Sequence, residues 1–383
     1  MRVQFGSVRF VMAVVALLLT ALLPIGLTSP VHASGEVPRP GWVPNARVYS
    51  VAAVGDRVYL GGQFTSLRNS LTGEVVPRTR LAALDADTGE LVRDWAPAAN
   101  ADVRALAVSD DGSTIFAGGA FTTIDGAPAE RVTALGRDGV PVPGFAASAN
   151  NTVRALLVHD DALYVGGLFG RVNNKSRVGL ARVDAATGTL DASWAPNAGQ
   201  GRAWTLGLSP DGENLVVGGS FHVLAGTTRA FLGSVSLASG AATTWAPTLC
   251  ATCYVIDVDT DTELATVYAA TAGSGGRLVA FAETATQPLW SVRGDGNVQA
   301  VAHHNGLVYA GGHFGPDFGG AERHQLAAVN ATDGSLTDFS PTVIGNDKPG
   351  VWALVADEQV LRVGGSIRTG GPLNQGRYVE FTY

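Results

Sequence analysis

The stretch "VIDVDTDTE" sets Asp257, Asp259, Asp261 and Glu263 at alternate positions. Alternate residues of an extended strand share a face, so these carboxylates could offer oxygens to Ca²⁺. As a calcium loop the segment is poor. Thr262 stands where the sharp turn wants Gly, and Tyr268 stands where a bidentate Glu would close the site. The competing account is an acidic hairpin, solvated or paired with Arg. Ca²⁺ is the one cofactor the sequence leaves open. Just upstream, Cys250 and Cys253 are the only cysteines. At that spacing they are expected to form a small disulfide loop, because a zinc site would need two more ligands.

Other groups are weaker candidates. His313, Asp317, Glu322 and His324 fall in one loop region and could hold a metal or move protons, or could simply be solvated. The chain has no Gly-x-Ser-x-Gly, no His-Glu-x-x-His and no phosphate loop. The chemistry the sequence favours is therefore recognition.

What must position these residues is a repeat. "VYLGGQF" (58–64) returns as "IFAGGAF" (115–121), "LYVGGLF" (163–169), "LVVGGSF" (215–221), "VYAGGHF" (308–314) and, worn down, "LRVGGSI" (361–367). The first glycines stand at 61, 118, 166, 218, 311 and 364. The long interval between 218 and 311 hides a unit, "VYAATAG" (267–273), that has lost the glycines. Seven units of about fifty residues, each reading as four short strands with Asp, Thr and Gly in the reversals, predict an all-β, seven-bladed β-propeller. Glycine pairs allow close approach of neighbouring backbones, and the Phe that follows fills the space between blades. Trp95, Phe145, Trp194, Trp245, Trp290 and Phe339 would pack in the outer part of each blade.

The last unit stops at "RYVEFTY" after three strands, while "RPGWVPN" (39–45) matches "RDWAPAAN" (93–100). The N-terminal segment is thus expected to supply the outer strand of the last blade and to remove an exposed edge.

In this arrangement the loops after strands two and four share one face, and most of the long loops lie there. The second residue of strand one enters from that face. It varies where its neighbours do not: Tyr49, Arg104, Arg154, Trp204, Ile256, Gln299 and Trp352. These residues would ring the mouth of a central channel. Three aromatics and two guanidiniums suit a carbohydrate, a peptide or a small anion; the alternative is that they only fill gaps between blade tops. An Arg also precedes strand three in every unit. It occupies one of two positions two apart, expected to share one strand face: Arg80, Arg131, Arg277 and Arg377, or Arg78, Arg177, Arg229 and Arg323. Presence in every unit points to a structural role, with guanidiniums on loop carbonyls or on acids of a neighbouring blade.

The unit, with Gly-Gly-x-Phe, an Arg before strand three and Asp-x-x-Thr-Gly-x-Leu (85–91, 184–190), resembles the delta-60 type repeat of bacterial secreted β-propellers. The resemblance covers residues 39–383. Looser similarity to kelch and quinoprotein repeats points to the same fold. None of these likenesses names an activity.

Residues 1–33 read as a secretory signal: Arg2 and Arg9, an apolar run from Phe10 to Leu27, then small residues around a cut after Ala33. An uncleaved anchor is the alternative. Cleavage would leave a secreted, extracellular domain of residues 34–383 without stable membrane insertion, expected to be a monomer. Removing Arg2 and Arg9 changes 26 basic against 33 acidic residues to 24 against 33, a net charge of −9. Such a surface repels phosphate backbones, so nucleic acid is not an expected partner. The sequence thus predicts a ligand-binding or protein-interaction module for carbohydrate, peptide or extracellular protein. An extracellular enzyme acting on glycans and a cell-envelope scaffold are the alternatives.

Overall fold

The computed structural model describes residues 38–199, 201–273, 275–341, 343–345, 350–369 and 375–382. The secretory leader expected over 1–33 lies outside them. Every regular element among the described residues is a β-strand, as runs rich in Val, Leu, Tyr and Phe between Gly, Asp and Asn reversals dictate.

Seven antiparallel sheets share one plan. Sheet one is Val48–Val54, Arg57–Gly62 and Leu81–Asp85, paired in that order. The first strands of sheets two to seven are Val103–Val108, Val153–His159, Ala203–Leu208, Tyr254–Asp261, Val298–His304 and Val351–Ala356. Each contacts the next, and Val351–Ala356 contacts Val48–Val54, so the series returns to its start. The core lies between sheets. Tyr59 and Leu81 of sheet one pack with Val103 and Ile115 of sheet two, and Val48 and Leu60 pack with Ala353 and Tyr378 of sheet seven.

The glycine pairs do two different jobs. A Cβ on the first glycine would strike a valine of the next sheet in every pair but that of the third unit, where Gly166 faces Leu206 at 3.4 Å: it would lie 2.5 Å from Val255 Cγ1 at Gly218, and 2.3 Å from Val351 Cγ1 at Gly311. A Cβ on the second would strike a backbone carbonyl at the entry of its own sheet, 2.1 Å from Asn297 O at Gly312. The following Phe64, Phe121, Phe169, Phe221 and Phe314 are all buried.

The expected fourth strand is a ladder only in sheet five, where Trp290–Arg293 pairs with Arg277–Ala282. In sheet one it shrinks to a single bridge, Leu84 to Leu91, and sheets two, three, four and six behave alike. The cause is the tight reversal before it. Asp85 Oδ1 accepts bonds from the Thr88 amide and hydroxyl at 2.8 and 2.7 Å, so "DADTGE" is a side-chain-capped turn. The chain then crosses outward and its aromatic reaches the next sheet. Trp95, Trp194, Trp245 and Trp290 each donate an indole N–H to a carbonyl there: Gly136, Ser236, Ala285 and Ala331. These aromatics join sheets as well as filling them.

The N-terminal segment also differs from expectation. Trp42–Pro44 pairs with Ser66–Asn69, in the long loop of sheet one. Among the described residues its backbone link to sheet seven is one bond, from the Arg39 amide to Glu380 O at 2.9 Å, supported by the Arg39–Glu380 ion pair at 3.2 Å and by Trp42 in one core cluster with Tyr378. That bond repeats the Val92 to Ala83 bond of sheet one. The next residue on that side, Gly41, turns away: its amide bonds Ser70 Oγ and its carbonyl accepts from the Ser70 amide.

The two arginine positions do not share a strand face. Arg80, Arg131 and Arg377 have φ of 70°, 72° and 67°, a left-handed residue that breaks the extended path between them and the other set. Carbonyls are nevertheless bonded from both sets: Arg131 to Ala120 O in the first, and Arg78 to Arg93 O, Arg177 to Asp191 O, Arg229 to Thr243 O and Arg323 to Thr337 O in the second.

Candidate functional site

Each first strand carries a β-bulge at its entry. The register slips between Val48 and Ser50, Val103 and Ala105, Val153 and Ala155, Ala203 and Thr205, Val255 and Asp257, Val298 and Ala300, and Val351 and Ala353. The residues left over are Tyr49, Arg104, Arg154, Trp204, Ile256, Gln299 and Trp352. A bulge releases one residue from the ladder and re-aims its side chain. All seven line a single cavity of about 210 Å³. The sequence signal was their variability; the bulge that makes it possible was not visible in the pattern.

The cavity is rich in hydrogen-bond donors. Arg104 is satisfied by Asp102 at 2.8 Å, and its guanidinium lies 4.3 Å from the Tyr49 ring centroid. Arg47 donates to the Tyr49 hydroxyl at 3.0 Å and lies over the Trp352 ring. Arg154 lies over Trp204 at 5.4 Å and has no hydrogen-bond or ion-pair partner among the described residues; its Nε is buried and unpartnered. Burial, with the charges of Arg104 and Arg202, holds Arg154 below the ordinary arginine value. The indole N–H groups of Trp204 and Trp352 and the Oε1 of Gln299 are likewise buried without a protein partner. An unpartnered Nε also occurs at the structural Arg78 and Arg177, so the distinction rests on the two indoles and Gln299, each costing about 1–3 kcal/mol, which argues against simple gap filling.

Asp257 is the acid at this mouth. It accepts bonds from the Val301 amide at 3.0 Å, the Thr205 hydroxyl at 3.2 Å and the Val258 amide at 3.0 Å, so it ties sheets four, five and six together. Burial pushes its carboxyl up to about 7; the Val301 amide opposes the rise and Asp259 adds to it. Asp259 accepts from the His303 amide at 2.7 Å and lies 2.9 Å from His303 Nδ1. Asp261 accepts from the amides of Glu263 and Leu264 and from the Tyr268 hydroxyl. Glu263 is exposed in the turn beyond. Three of the four acids are thus committed to hydrogen bonds of the fold, where a solvated or Arg-paired hairpin was expected. Among the described residues no three His, Cys, Asp or Glu side chains converge as a metal site.

Cys250 and Cys253 form a disulfide with Cα atoms 5.3 Å apart. In the loop of sheet six, His324 pairs with Glu322 at 3.2 Å while Asp317 caps the Gly320 amide, so these residues do not converge. His313 is absent from the mouth that Asp257 lines.

No protein-family profile matches the chain, and no curated protein matches it. Among solved structures, the computationally designed protein Ika8 is similar, with a TM-score of 0.55 over 90% of this chain and 98% of that one. Identity is 13%, so the likeness concerns the all-β backbone alone.

Proposed function

We propose that the chain is a seven-bladed β-propeller of the delta-60 repeat type, exported from the cell, whose channel mouth binds a small ligand or one exposed group of a larger one. The return of the first-strand contacts from sheet seven to sheet one supports the closed ring, with Arg39 joining the last blade. The disulfide suits an oxidising compartment. The reading rests above all on the convergence of seven bulged, variable side chains on one cavity with unpartnered polar atoms. The acid present there already accepts three bonds, which favours binding over catalysis.

The test is a glycan and peptide array probed with residues 34–383 and with Trp204→Ala/Trp352→Ala. The parent should bind a defined ligand set and the variant should lose it. Because both indoles are partly exposed, the melting temperature should fall by no more than about 2–4 °C. Silence of the parent on both arrays, or a variant that retains the ligand set, would overturn the proposal.

A further inference from the structure

We infer that the mouth takes a single carboxylated sugar residue, of the hexuronic acid class, with its carboxylate on Arg154 and a hydroxyl between Gln299 and Trp352. This inference rests on the binding role proposed for the mouth and names its ligand.

Size comes first. A cavity of about 210 Å³ is smaller than the roughly 300 Å³ at which drug-sized pockets begin, so it admits one ring-sized group and no extended chain. Charge comes next. Of the two guanidiniums that line the cavity, Arg104 is neutralised by Asp102, which leaves Arg154 without an acid. One lining guanidinium without an acid matches the single charge of a carboxylate better than a phosphate dianion. A planar fork on a carboxylate is the pairing arginine geometry favours.

Hydrogen-bond type decides the rest. Gln299 is 4% exposed, and its Oε1 is an acceptor without a protein partner. Trp352 Nε1 is a donor without one. Both adjoin the same point of the chain: a Cβ on Gly350 would lie 2.5 Å from Gln299 Oε1 and 3.4 Å from Trp352 Nε1. A hydroxyl donates and accepts at once, so one hydroxyl satisfies both atoms. An amide N–H would serve only Gln299, and a carboxylate only Trp352. A group carrying a carboxylate and hydroxyls on one ring meets all three requirements.

The test is a calorimetric titration of residues 34–383 at pH 6 with D-glucuronate and D-galacturonate, with D-glucose as the neutral analogue and N-acetylglycine as a carboxylate without hydroxyls. At least one hexuronate should bind, and glucose and N-acetylglycine should each be at least tenfold weaker. Arg154→Gln should bring the hexuronate down to the level of glucose. Gln299→Leu, which keeps the buried volume, should weaken it at least fivefold and serves if Arg154→Gln melts early. Equal binding of glucose would overturn the carboxylate, and equal binding of N-acetylglycine would overturn the sugar; either leaves the mouth as a binding site. Hexuronate affinity indifferent to both substitutions overturns the inference. Failure of all four probes overturns it too; the mouth proposal then survives if the array ligands still depend on Trp204 and Trp352, and falls with it if they do not.

Discussion

Sheets five and six receive their neighbours differently. In sheet six, Gly311 opens a notch that Val351 of sheet seven fills. The matching residue of sheet five is Ala270, and Thr271 stands in place of the second glycine. There the joint to sheet six carries two carboxylates, Asp257 on the Val301 amide and Asp259 on the His303 amide. One joint relies on shape and the other adds hydrogen bonds to charged acceptors. The first is indifferent to pH and intolerant of a single added carbon. The second tolerates side chains and titrates. Sheet five can depart from the repeat because its joint has another source of specificity, and Ile256 is the one aliphatic side chain among the seven bulge residues.

The sharpest way to break this comparison is to put alanine at the second position of the glycine pair in each sheet. Gly312→Ala would set a carbon 2.1 Å from a backbone carbonyl, which no rotamer can relieve, and should cost more than about 3 kcal/mol. Thr271→Ala, at the matching place in sheet five, loses hydrogen bonds to the Arg277 backbone and should cost about 1–2 kcal/mol. Urea denaturation of both variants measures the difference; equal losses would mean that the second glycine of the pair carries no special weight.

A third kind of joint, between sheets seven and one, depends on the N-terminal segment. Deleting residues 34–45 removes the Arg39 bond, the buried Trp42 and the Asn45 side chain that caps the Thr65 and Ser66 amides. The truncated protein should expose the edge of sheet seven and aggregate in light scattering. A soluble, monomeric truncation with an unchanged melting curve would show that the seam holds without it.

The smallest expected effect separates the joints by pH. Asp257 titrates at 3.8 when unfolded and at about 7 when folded, so between those values the folded protein holds a proton that the unfolded chain has released. Its contribution to stability therefore falls as pH rises from 3.8 to about 7, and is unchanged by pH below 3.8. The groups facing it are Asp259 on its own strand, Thr205 and Val258, and, from sheet six, Val301 and His303. Burial disfavours the charged form of His303, but the bond and charge of Asp259 outweigh that and raise it, so its contribution is lost as pH rises above 6.5. Asp111 acts in another window: bonds from Ser109 and Ser113 hold it at about 2, so its contribution is lost only as pH falls from 3.8 towards 2. Asp257→Asn should flatten the melting temperature between pH 4 and 7 and leave the change above 6.5 in place. A pH profile identical to the parent would remove Asp257 from the account.

Much of this was legible in residues 58–64 and their copies. A glycine pair between β-formers is informative because only the missing Cβ permits the approach, and at the second glycine the same backbone constraint recurs in all six copies. The mouth was legible in outline, since a position that varies among constant neighbours is free of the ladder. The disulfide followed from two cysteines three apart. The bulges escaped notice because a bulge is a slip in pairing between two strands, and one strand's letters do not record its partner. The shared strand face assigned to Arg80 and Arg78 failed for a related reason: φ is set by a turn whose geometry alternation cannot express. The acids of sheet five looked like one face of a metal site because alternation was all that could be seen. Their acceptors' partners, Val301 and His303, lie some forty residues away.

The sequence by itself determined the number of units, the first three strands of each and which residues must be small, because these are local demands of sterics and periodicity. Tertiary structure alone decided that seven side chains from seven distant strands face one cavity, which of their polar atoms find partners, and that one amide at Arg39 links the first unit to the last. Those outcomes depend on distances between segments that no stretch of sequence contains.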